Sequence, residues 1–157
     1  MENESLEAFL RRKNKESELK NKTIDWERRK QHWLASIEKL YEKINGWLNS
    51  LKNEGIVKIN YEETELLEDN LGSYIVKNMT MRVGAERVIL KPKGMIVMGA
   101  AGRVDMIGYN GTVWLVLLNE PKKTEFEWHI AVRTVRQKYW PLIEESFTDA
   151  LKQVMQP

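Results

Sequence analysis

The chain has no cysteine, which removes disulfides, thiolate nucleophiles and cysteine-held metals together. It also lacks a long apolar run: nothing approaches the roughly 18 apolar residues that a membrane-spanning helix needs. The opening stretch MENESLEAFLRRKNKESELK has no signal-peptide core. A cytoplasmic protein with no membrane partner is therefore expected. No GxGxxG, GxxxxGK[ST] or GxSxG element occurs, so the usual nucleotide-loop and serine-hydrolase signatures are missing. Charge of one sign is scarce as well: 25 basic against 23 acidic residues leave a net charge of +2, too little to attract a polyanion without local clustering.

What is present suits a globular chain. Its 157 residues are enough for one domain with a real core, and the 42% hydrophobic and 31% charged fractions argue against disorder. Six tryptophans are many for this length. Residues 1–22 read as a polar N-terminal segment with a short apolar helix face, Leu6, Phe9 and Leu10, at neighbour spacing. That face either packs on the rest of the chain or a second copy, or serves as a docking peptide tethered by RRKNKESELKNK.

Residues 23–157 read as a single α+β domain. Trp33, Leu34, Ile37, Leu40, Tyr41, Ile44, Trp47, Leu48 and Leu51 recur at three- and four-residue steps, with Trp26 one heptad earlier. This predicts an amphipathic helix over 23–54, about eight turns long at 3.6 residues per turn. Thr23 or Asp25 can cap its start, and NEG at Gly55 marks its stop. The stripe is wider than a two-stranded coiled-coil seam, so the helix should lie on a sheet or in a bundle.

The period then shortens to two, predicting a sheet over 56–133. IVKINY alternates from Val57, and SYIVKNMTMRV carries apolar residues at Tyr74 and Val76 and then at Met79, Met81 and Val83. That slip of phase predicts a bulge or bend near Asn78. VGAERVIL reads as strand, Gly-Ala turn and return strand, KPKG as the next turn, and FEWHIAV as a half-buried strand. A closing helix is predicted over 141–155, with Pro141 in its first turn and Ile143, Phe147, Ala150, Leu151 and Val154 on its buried face. The fold expected is α+β: an antiparallel meander of about five to seven strands, with the long N-terminal helix and a C-terminal helix packed on it.

The stretch GRVDMIGYNGTVWLVLLNE holds the sharpest chemical candidate. Asn110-Gly111 suits a type I′ turn between RVDMI and VWLVLL. An acid on one strand, followed across a hairpin by acid-x-Lys on the next, resembles the PD-(D/E)xK nuclease superfamily. That resemblance implies a Mg²⁺-dependent nuclease, with Asp105 as first metal ligand and the lysine stabilising charge at the phosphate. The second half departs from the pattern. Opposite Asp105 stands VLLN, and the nearby acid-x-Lys is Glu120-Pro121-Lys122, whose proline cannot join a central ladder. Outside that resemblance, the Asp105 carboxylate is satisfied by Arg103, a backbone amide or solvent, and no cofactor is implied.

Other candidates are weaker. GMIVMGAAGR is glycine-rich but leads into a strand rather than a helix N-terminus, so Gly99 and Gly102 read as turn or bulge glycines. His32 falls on the charged side of the long helix, and Glu127 and His129 share a strand face, which makes them a candidate acid–base or metal pair. RTVRQKYW reads as the connection from the last strand to the last helix. Its Arg133, Arg136, Lys138, Tyr139 and Trp140 suit a backbone-plus-stacking contact with single-stranded nucleic acid, joined by Lys91, Lys93, Lys122 and Lys123 from other turns.

With no complete catalytic set, the leading expectation is a small non-enzymatic binding or adaptor protein, acting through Leu6, Phe9, Leu10 and Trp26 on a protein partner or on a second copy. One component of a bacterial multi-gene system is the setting that suits such a chain. The nuclease centred on Asp105 and a nucleic-acid binder using residues 133–140 are the alternatives.

Overall fold

A computed structural model describes residues 3–23, 25–95, 101–119, 125–132 and 138–157. The three- and four-residue spacing yields the long helix, which is the second of three among the described residues: α1, Leu6–Thr23; α2, Trp26–Asn53; and α3, Glu144–Val154. The Asp25 carboxylate accepts the Arg28 N–H at 3.0 Å and caps α2, whereas Thr23 ends the helix before it. At the other end the Gly55 N–H donates to the Lys52 carbonyl and the Ile56 N–H to the Leu51 carbonyl, a Schellman arrangement. Trp33, Ile37, Leu40, Tyr41, Ile44 and Leu48 are buried along α2. Each such side chain contributes about 1.5–3 kcal/mol by leaving water.

The polar N-terminal segment differs from its expectation. RRKNKESELKNK is no tether but the body of α1. Ser5 Oγ accepts the Ala8 N–H at 3.1 Å, and pairs one turn apart run along the surface: Glu7–Arg11 at 2.5 Å and Arg12–Glu16 at 3.0 Å. With no glycine or proline in the stretch, nothing interrupts the helix once it is capped.

Between α2 and α3 the described residues form seven strands: β1, Val57–Glu68; β2, Gly72–Val83; β3, Glu86–Gly94; β4, Gly102–Gly108; β5, Gly111–Leu118; β6, Glu127–Val132; and β7, Lys138–Pro141. They lie in chain order and every neighbouring pair is antiparallel, so the sheet is a meander. Directly opposed residues share a face, and Met79, Leu90, Met106 and Val113 form one buried row across it. Val104, Leu115 and Ile130 form the next. Both α2 and α3 cover this face. The Trp128 indole N–H donates to the Ser36 carbonyl at 2.9 Å, and the rings of Trp47 and Phe147 lie 5.3 Å apart, joining the two helices.

The phase slip on β2 is real, but no bulge in one strand causes it. Pairing with β1 runs unbroken from Val57 opposite Val83 to Glu68 opposite Gly72. The partners slip together: Leu66 and Thr64, half-buried opposite Tyr74 and Val76, give way to Ile59 opposite Met81. The ribbon itself turns over near Lys77, where the Tyr41 hydroxyl donates to the Lys77 carbonyl at 2.5 Å. Two-stranded ribbons twist more than wide sheets, and β3 stops pairing with β2 beyond Leu90 opposite Met79. Pro92, which has no N–H for a ladder, lies just past that point.

Three connections differ from expectation. KPKG is no turn: it ends β3, with a break of register between Pro92 and Gly94. The β4–β5 turn is centred on Tyr109-Asn110, one residue earlier than Asn110-Gly111, and the positive φ falls on Gly111 alone, so it is not type I′. The cause is α3, because the Asn110 N–H donates at 2.8 Å to the Val154 carbonyl, a group left over at the helix end. Finally, the segment before the last helix forms β7, which takes Pro141. The helix therefore starts at Glu144, and Ser146 Oγ accepts the Ile143 N–H at 2.9 Å at its entry.

Candidate functional sites

Asp105 projects from β4 on the face opposite the helices and is only 7% exposed. Its sheet neighbours are Lys91 on β3 and Trp114 on β5. Two residues away on its own strand, and hence on the same face, Arg103 meets its carboxylate at 3.0 Å. The Arg103 guanidinium also lies over the Trp114 ring, 4.5 Å from its centroid. The arrangement neutralises Asp105 within the protein, and a divalent cation would have to displace the guanidinium to reach that oxygen. Glu120 and Lys122, the other two members of the nuclease-like set, lie outside the described residues. Among the described residues no three metal-ligating side chains come together.

His129 and Glu127 do share a face of β6, but the imidazole Nδ1 donates at 2.9 Å to the Glu127 main-chain carbonyl, the histidine being 2% exposed and the glutamate exposed. His32 is exposed and lies edge-on to Phe126, with centroids 5.3 Å apart. Trp26 is half-buried under Arg29, 5.5 Å from its ring, and its indole N–H has no hydrogen-bond partner among the described residues.

Of the basic-aromatic set, Arg133, Arg136, Lys122 and Lys123 lie outside the described residues. Lys138, Tyr139 and Trp140 are all exposed on β7. As neighbours on a strand the two rings take opposite faces: Tyr139 opposes Ala131, and Trp140 opposes Ile130. They do not build one stacking platform. Lys91 and Lys93 are on β3, separated from β7 by three intervening strands, so they do not converge on it. Gly99 also falls outside the described residues. Gly102 is no turn residue but a strand position whose missing side chain admits the Trp33 ring.

Two features escaped the sequence. One is a buried polar chain. The Trp33 indole N–H donates to the Tyr74 hydroxyl at 3.1 Å, that hydroxyl donates to the Glu68 carboxylate, and the Met95 N–H meets the same carboxylate at 3.0 Å. Burial, and then the Glu68 carboxylate beside it, push the Tyr74 phenol well above the ordinary tyrosine range. The other is a groove of about 380 Å³ between β7 and α3, lined by Ile130, Trp140, Ile143, Glu145, Asp149 and Ala150 among others. Its members come from separate elements, so no local spacing could announce it.

The expected apolar face of α1 exists and is uncovered. Every described side chain from Leu6 to Leu19 is exposed, Leu6 at 75% and Leu10 at 54%. These elements define an α+β protein: an antiparallel seven-stranded meander with helices over one face and a further helix standing clear of it. No described helix is long and apolar enough to cross a membrane. Comparison with protein-family models, with curated proteins and with solved structures finds no match to this chain.

Proposed function

We propose that the chain is a small non-enzymatic binding protein whose working element is α1, an adaptor that attaches through helix-mediated protein contacts. The observation that carries this reading is that α1 is formed over eighteen residues with every described side chain exposed. A lone helix of this length, rich in polar residues, is marginal in water, and most helical stability in proteins comes from packing an apolar face. Leu6, Phe9 and Leu10 make such a face, and the Arg12 guanidinium lies 5.3 Å from the Phe9 ring centroid, extending it with a basic edge. The Asp105 nuclease reading has weaker support, because Arg103 already holds that carboxylate.

Site-specific photo-cross-linking in the full chain tests the proposal. A photoreactive phenylalanine analogue at position 9 is expected to yield a protein adduct, and the same group at position 11, on the opposite side of the helix, is not. Adducts from neither position, or equally from both, would refute α1 as the docking element.

A further inference from the structure

We infer that the apolar face of α1 docks in the groove between β7 and α3 of a second copy of the chain, reciprocally, so that two copies close into a dimer. The inference rests on α1 being the docking element, and adds what receives it.

The groove is the complementary surface by shape and chemistry. Trp140 is 54% and Ile143 51% exposed at its mouth, and Ile130 and Ala150 form its floor. A large aromatic beside aliphatic side chains in a concave site is the composition of interface hot spots. Leu6, Phe9 and Leu10 present three apolar groups within about one and a half helical turns, which suits a short groove.

Charge points the same way. In α1, six basic and three acidic side chains leave a net +3, whereas α3 has three acidic and one basic, a net −2. Glu145 and Asp149 stand on the groove's rim, one helical turn apart on the same side of α3. A basic helix laid along an acidic rim gains in on-rate and orientation, whereas an acidic partner is repelled.

Within one copy, α1 does not fill the groove: its described side chains are exposed, and so are Trp140 and Ile143. Two copies related by a twofold axis can bury both exposed faces by exchanging α1, and a twofold arrangement closes instead of propagating.

The test is a charge swap in the full chain, read by sedimentation equilibrium. Variant one carries Glu145→Lys and Asp149→Lys; variant two carries Arg12→Glu and Lys13→Glu. All four positions are exposed, and circular dichroism checks that the helices persist. The unaltered chain is expected to dimerise, more weakly as salt rises. Each variant alone should dimerise roughly tenfold more weakly or worse, about 1.4 kcal/mol. Their equimolar mixture should recover a heterodimer, because each α1 then meets a groove of opposite sign. If variant one dimerises like the unaltered chain while Leu6→Ser/Phe9→Ser/Leu10→Ser does not, the groove is refuted and α1 still stands as the docking element. A monomeric unaltered chain, or a mixture that stays monomeric, overturns the inference.

Discussion

The indole of Trp33 packs against Gly102 so closely that a methyl group there would overlap the ring. A tryptophan on α2 thereby sets how near the helix comes to the middle of the sheet, and a glycine on β4 permits it. Gly102→Ala is expected to force the indole off its place and destabilise the fold by about 1–3 kcal/mol. Thermal unfolding measures this. Adding Trp33→Leu should return part of the loss, because the two positions are in contact and their effects are coupled.

Gly46 is the opposite case. It is exposed within α2, and a Cβ there would meet nothing within 4 Å. Gly46→Ala should stabilise the chain by about 0.8–1 kcal/mol through helix propensity alone. A rise in midpoint of roughly 2–4 °C is expected for a chain this size. No rise would mean that α2 is held by packing so completely that its backbone preference no longer counts.

Tyr74 carries the buried chain from Trp33 to Glu68, and its loss leaves the Trp33 N–H buried without an acceptor. Tyr74→Phe is expected to cost about 1–3 kcal/mol in urea unfolding. The phenols of Tyr74 and Tyr41 are both raised, chiefly by burial. The unfolded chain then releases those protons first, from the ordinary tyrosine value of 10.0 upward, so stability is intact below that pH and declines above it. Phenylalanine at both positions should flatten this alkaline decline, read as unfolding free energy against pH.

Arg103 and Asp105 form one unit with Trp114 on the sheet face away from α2 and α3. Asp105→Ala removes the partner of a partly buried guanidinium and is expected to cost about 1–3 kcal/mol. Restoring an apolar strand with Arg103→Val in the same chain should recover much of it. Mg²⁺ should leave the melting temperature of the unaltered protein unchanged. A metal-induced rise that Asp105→Ala abolishes would instead place a cation at this carboxylate.

The elements with an internal period were legible from residues alone. Trp33 to Leu51 specified both α2 and its buried side, and the alternation in SYIVKNMTMRV exposed the change of phase on β2, though not that β1 follows it. The remainder depended on partners distant in the chain. Asn110-Gly111 is a sound hairpin signal, yet the Val154 carbonyl draws the turn one residue back. Pro141 suits a helical first turn, but it lies at the edge of the sheet, where a missing N–H costs nothing and β6 can pair with it. Asp105 stood out by type, whereas what it does was decided by Arg103, two residues away on the same face. The groove beside Trp140 needed Ile130 and Ala150, and nothing in KYWP foretells them.

The most direct measurement of the central claim, that α1 docks on a second copy of the chain, is amide hydrogen exchange of the full chain as a function of its concentration. Alone, an exposed helix of this kind opens readily, so residues 6–19 should exchange fast in dilute solution and become protected as the concentration rises. Protection of α2 should stay constant over the same range, since its contacts lie within one copy. Protection of residues 6–19 that does not change with concentration would contradict the account.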